Sequence, residues 1–221
     1  MQCILPLILV HVIMKLDHIV PVRKSGNETF HTDNTPLDYT LLDFWRWSSS
    51  DLLNNALRGV LAEFLVSKAL HSAKEIRTEW HPFDAETSDG IKIEVKSAAY
   101  VQSWHQKRYS TIQFGVPHTY GWNYETNSYD PERRRQADVY VFCLFHHKEK
   151  ETADPLNTAQ WRFFVISTEQ LNAGIGQQKT IGFNRLLSLA PEEAEYNALS
   201  DAVFRAYENR DRGTPEESSS Q

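Results

Sequence analysis

The chain is poor in cysteine. Its two cysteines, Cys3 and Cys143, lie far apart in apolar company. That excludes a disulfide framework and a cysteine-built zinc site, and it fits a reducing compartment, with the cytoplasm as the expectation. The nine histidines show no ligand spacing, and His146 and His147 would point to opposite sides of a strand. No glycine-rich phosphate loop is present, and no internal repeat that would signal a solenoid. The apolar run from Cys3 to Met14 is too short to span a membrane as a helix. It also lacks the basic flank and small-residue cleavage site of a signal peptide. No membrane partner is expected. The run reads as an upstream extension with Met14-Lys15 as the natural start, a strand or a signal sequence being the alternatives.

A positive charge excess is missing too. The formal net charge is −6, which is not that of a protein coating nucleic acid nonspecifically. It leaves room for an enzyme whose carboxylates hold cations against a phosphate. Basic residues do occur in clusters, at Arg23-Lys24, Lys107-Arg108 and Arg133-Arg134-Arg135. Each cluster is a candidate phosphate contact, or else a solvated loop. With 221 residues, 41% of them hydrophobic and 12% aromatic, one packed domain is feasible. The expected organisation is an N-terminal extension and irregular arm over 1–40, a single domain over 41–208, and a disordered tail over 209–221.

Along the chain, Leu41 to Trp47 is aromatic-rich and expected to pack on the core. Ser48 to Asp51 supplies helix caps, and Leu53, Leu57, Val60, Leu61, Phe64 and Leu65 recur at helical spacing over 52–70. Glu63 falls at the border of that stripe, and Arg58 beside Gly59 is a possible phosphate contact. Strands are expected over 75–80, 110–116 and 161–167. Ala137 to Phe145 reads as a strand buried on both faces. Residues 117–135 read as a long loop, and 191–207 as a helix with proline in its first turn.

The most informative stretch is Asp84 to Lys96. Ile91, Ile93 and Val95 alternate with Lys92, Glu94 and Lys96, so Glu94 and Lys96 share the face away from the apolar side. Asp89-Gly90 signals a turn. A three-residue loop with Gly90 in the left-handed region puts Thr87 across from Ile91, Ala85 across from Ile93, and Phe83 across from Val95. All apolar residues then fall on one face, which selects this register. Glu86 pairs with Lys92, and Asp84 comes to lie opposite Glu94. Two converging carboxylates suit a hard divalent cation, and a neighbouring lysine can steady charge developing on a phosphate. That is the layout of metal-assisted phosphodiester hydrolysis. The plain alternative is a solvated ion pair on an exposed strand.

The order of these elements, with Glu63 on a helix, Asp84 on the hairpin and Glu94-x-Lys96 on the next strand, resembles the PD-(D/E)xK, or restriction endonuclease-like, nuclease superfamily. The likeness covers about residues 50–167. It implies an α/β fold, a three-layer αβββαβ sandwich with a mixed central sheet, and a Mg²⁺- or Mn²⁺-dependent deoxyribonuclease acting on DNA. It also implies metal binding by Asp84, Glu94, the Val95 carbonyl and Glu63, with Lys96 beside the attacking water. Arg58, Lys107, Arg108, Arg133, Arg134 and Arg135 become candidate DNA contacts. Gln102 and Gln113 are candidates for bases or metal-bound water. Pro82 stands two residues before Asp84, so the family's Pro-Asp dipeptide is absent and Asp89 is the rival ligand. A homodimer would serve cutting of both strands of a duplex. The alternative function is a non-catalytic module on the same fold that binds nucleic acid or protein.

Overall fold

The computed structural model describes residues 19–72, 76–77, 81–123 and 126–210. The apolar run before Met14, most of the strand expected over 75–80, and the tail from residue 211 lie outside the described residues. Of residues 21–40, expected to be irregular, 21–28 carry no strand or helix, but 29–40 form a hairpin of β1 (Thr29–Thr32) and β2 (Thr35–Thr40). Helix α1 follows (Leu41–Ser49). It is started by a reciprocal cap in which Asp43 N–H donates to the Thr40 hydroxyl and Thr40 N–H to the Asp43 carboxylate. No residue of α1 is buried, and Trp47 is 84% exposed. The expected packing of this aromatic segment on the core is therefore corrected.

Helix α2 (Asn55–Ala69) starts one cap later than the serine run suggests, at Asn54, whose side chain accepts from Leu57 N–H at 3.0 Å. Its inner face carries Ala62, Leu65 and Val66. The hairpin expected next is present as β3 (Ala85–Glu86) and β4 (Lys92–Ala99), with Ala85 opposite Ile93 and Glu86 opposite Lys92. Gly90 has φ +82°, and Thr87 N–H donates to Ile91 O at 3.0 Å. Phe83 alone leaves the expected face. It turns to the opposite core, with the Lys92 ammonium 5.6 Å from its ring centre.

Strand β5 is short (Gln113–Gly115). The expected long loop is instead an antiparallel hairpin of β6 (Thr119–Asn123) and β7 (Ser128–Arg134). β8 (Val139–Phe145) is buried along its whole length, as expected, and β9 (Trp161–Ser167) matches the expected bounds. Then come α3 (Thr168–Ile175), β10 (Thr180–Gly182), α4 (Phe183–Ser188), β11 (Glu192–Ala194) and α5 (Leu199–Glu208). The helix expected from Pro191 is thus corrected. Its first part pairs with β9 as an edge strand, and only the part from Leu199 is α-helical.

The central sheet is mixed, in the order β11-β9-β8-β4-β3, with β4 and β8 parallel and the other pairs antiparallel. Alternate residues of β8 feed two cores. Val139, Val141, Cys143 and Phe145 face α2 and α5, while Tyr140, Phe142 and Leu144 face α3, α4 and the small β5–β10 sheet. The fold is α/β, with helices on both faces of the sheet. Among the described residues no helix is long and apolar enough to cross a membrane.

Candidate active site

Strand β4 sends its odd residues, Ile93 and Val95, into the core beneath α2. The pleat therefore sends Glu94 and Lys96 to the other side. There they line a groove of about 340 Å³ together with Asp84. Lys96 Nζ donates to Glu94 Oε1 at 2.5 Å, and both side chains are largely shielded, at 27% and 20% exposure. Asp84 Oδ2 accepts the Val95 N–H at 2.7 Å. Asp89 sits exposed at the hairpin tip beside Gly90.

Asp84 is electrostatically strained. Burial, then the Glu94 carboxylate, then Glu63 push its proton affinity up, against the Val95 N–H and Lys96, to a pKa of about 7. Glu63, on α2, adds to that upward push. Its carboxylate is engaged by Arg77, which donates from Nε at 2.5 Å and from Nη2 at 3.2 Å. Opposite Glu94 on β8 stands Tyr140, which lines the same groove. Its hydroxyl pKa is raised by burial and by the Glu94 and Asp84 charges.

The carboxylates form a hard-oxygen donor set suited to Mg²⁺ or Mn²⁺. The Asp84 oxygen not bonded to Val95 makes no hydrogen bond among the described residues. In a strand the N–H and C=O of one residue point to the same side. The Val95 carbonyl therefore faces the edge where Asp84 sits. Among the described residues no three His, Cys, Asp or Glu side chains form a ligand set by themselves. A cation here would complete its shell with water and phosphate oxygens, as Mg²⁺ commonly does.

Two of the expected DNA contacts are corrected. Arg58 is buried at 3% exposure. Its guanidinium donates to Leu53 O at 3.0 Å, Gln102 Oε1 and Asn55 Oδ1 at 2.8 Å, and Ser97 Oγ at 3.3 Å. Arg135 is buried too, and donates to Val116 O, Gly176 O and Gln178 O as well as to Asn172. Both hold loops together, and each commits most of its guanidinium donors inside the fold, away from any phosphate. Gln102 is buried as Arg58's partner, which corrects its expected role at a base or water. Gln113 is exposed on β5, opposite Gly182. Arg133 and Arg134 stay exposed on β7. Arg133 lies 5.5 Å from the Tyr120 ring centre, and Arg134 pairs with Asp130 at 3.2 Å. Lys107 and Arg108 are exposed on the loop that follows β4.

The groove's far wall was not foreseen. It is built by the β6–β7 hairpin, through Tyr120, Trp122 and Tyr129, with His81 at its mouth. Trp122 and Tyr129 sit across from each other, ring centres 4.7 Å apart. The sequence signal was the density of aromatics over 120–129, which a loop does not need.

No curated protein matches the chain at a significant level. A family model for bacteriophage T4 endonuclease IV matches residues 13–185. That span takes in α2, the β3–β4 hairpin, the aromatic wall and the sheet through β9, and with them every residue that lines the groove, and on it the chain belongs to the bacteriophage T4 endonuclease IV family.

Proposed function

We propose that the protein is a Mg²⁺- or Mn²⁺-dependent DNA nuclease with a restriction endonuclease-like site. Asp84, Glu94 and the Val95 carbonyl would hold the metal. The observation that carries the reading is the convergence of Asp84, Glu94 and Lys96 on one groove, with Asp84 raised to about 7 by burial and carboxylate neighbours. Such a cluster is costly in a resting fold and is relieved by a bound cation. A metal bound there would acidify water and neutralise charge on the scissile phosphate.

The chain's own residues then divide the work. Asp84, locked to Val95 N–H, is aimed by the strand itself. Lys96, held beside Glu94, presents its ammonium where charge builds on the phosphate. Glu63, held by Arg77, adds negative potential from the α2 side without entering the cluster. Tyr120, Trp122 and Tyr129 give the substrate an aromatic wall on which bases can stack. DNA as substrate follows from the nuclease family and this wall. Restriction, defence and repair all call for such cutting, and two copies of the site would let a homodimer cut both strands of a duplex.

The test is cleavage of plasmid and oligonucleotide DNA by the purified full chain with Mg²⁺ or Mn²⁺, beside Lys96→Ala. Lys96→Ala should lower turnover by roughly 10²–10³-fold. Equal behaviour of the two proteins on every DNA form would overturn the catalytic reading.

A further inference from the structure

Beyond the groove, β4 leads to a cationic surface. From Val95 to Asn123 the chain carries no acidic residue, in a protein of net charge −6. Tyr100 follows β4 on the same side as Glu94, Lys96 and Ala98, and packs with Ala98 on the same core. It stands about 13 Å beyond Lys96 at the rise of a strand. From Tyr100 the chain makes a loop whose ends are tied by Ser110 N–H donating to Tyr100 O at 2.9 Å. Gln106 braces it from inside, donating to Tyr100 O at 3.2 Å and to Ser110 Oγ at 3.1 Å. Arg58 anchors it to α2 through Gln102.

Lys148, arriving from β8, is held against the base of this loop. Its ammonium lies 4.7 Å from the Tyr100 ring centre and 5.7 Å from that of Tyr109. Tyr109 is 52% exposed, and Lys107, Arg108 and Lys148 are exposed around it. Two rings fix a flexible cation in place before any ligand arrives, which lowers the entropy cost of using it. An exposed tyrosine edge-on to a second ring, with a lysine between, is the pairing of stacking face and point charge that single nucleic-acid strands use.

We propose that Tyr109 and Lys148 form a strand-holding subsite. Tyr109 stacks on a base and Lys148 contacts the phosphate backbone, a few nucleotides from the bond cut in the groove. The inference rests on the nuclease reading for its direction, but its chemistry is binding and is read without turnover. Charge sign and continuity along one face of β4 carry it. The occupant is the same DNA strand that enters the groove.

The test is binding of a fluorescent oligonucleotide to the full chain without divalent metal across a salt series, followed by kinetics with Mg²⁺. Lys148→Gln should lower the slope of log Kd against log salt by about one, and Lys148→Arg should restore it. Tyr109→Ala should weaken binding by about fivefold or more at every salt concentration. Both should raise KM and leave kcat within about twofold. Trimming the oligonucleotide on the side that reaches this surface should remove the effect of both substitutions. A wild-type slope in Lys148→Gln with a wild-type Kd in Tyr109→Ala overturns the subsite and leaves the nuclease reading intact. A wild-type chain that neither binds nor cuts DNA overturns both.

Discussion

Asp84 Oδ2 accepts the Val95 amide hydrogen at 2.7 Å, so a carboxylate on one strand of the hairpin is fastened to the backbone of the other. The same carboxylate is pushed up to about 7 by burial, Glu94 and Glu63. The bond aims the group, and the environment makes its charge expensive.

Asp84→Asn keeps an oxygen acceptor for Val95 and removes that cost. Turnover should fall to background while Tm of the chelator-treated protein rises by roughly 5 °C at pH 8. The sign follows from the raised carboxyl. The native state holds a proton that the unfolded chain has already released, so this contribution is present below about pH 4 and is lost as pH rises through about 7. The gain from Asn should therefore grow between those limits and vanish in acid. Thermal unfolding at three pH values reads it, and a constant difference across pH would contradict it.

Arg58 carries stability rather than DNA affinity. Arg58→Met should leave Gln102, Asn55 and the Leu53 carbonyl without a donor, at a cost of about 2–4 kcal/mol in urea unfolding. Arg58→Lys should recover little of it, because one ammonium cannot reach the acceptors that the planar guanidinium spans.

Trp122 forms the wall facing the carboxylates. Trp122→Ala should raise KM by about tenfold with a smaller change in kcat, since stacking positions the substrate and takes no part in bond breaking. Equal loss in kcat and kcat/KM would instead place the ring in the transition state.

Gly121 is where the wall meets its support. A Cβ there would lie 2.5 Å from Asp130 Oδ2 and 2.9 Å from Gln136 Oε1. Both atoms are the ends of side chains that meet Arg134, so Gly121→Ala should push them aside and free Arg134, raising KM less than Trp122→Ala does and leaving the fold intact by circular dichroism.

The sequence revealed the hairpin register because one slip would have turned Ile91, Ile93 and Val95 to solvent. β8 was legible because an unbroken apolar run has few other homes. The β6–β7 hairpin was not, because most of its residues are exposed and show no inside–outside alternation. What pairs it are cross-strand ring contacts such as Trp122 with Tyr129. Arg58 misled because a charged residue next to a glycine reads as surface. Its partners Ser97 and Gln102 lie 39 and 44 positions away, where no local pattern reaches. Lys148 was invisible for the same reason, being defined by rings on the distant loop that follows β4.

β3 has two residues and β4 has eight, so among the described residues β4 has no strand on its outer side beyond the start of the hairpin. A bare edge invites another chain to pair with it. At Val95 that invitation is withdrawn by Asp84, whose carboxylate occupies the amide a stray strand would need. The residue assigned to metal chemistry thus doubles as a guard against aggregation. Substituting it with alanine should cost solubility as well as activity, whereas asparagine, which can still take the Val95 hydrogen, should cost activity alone.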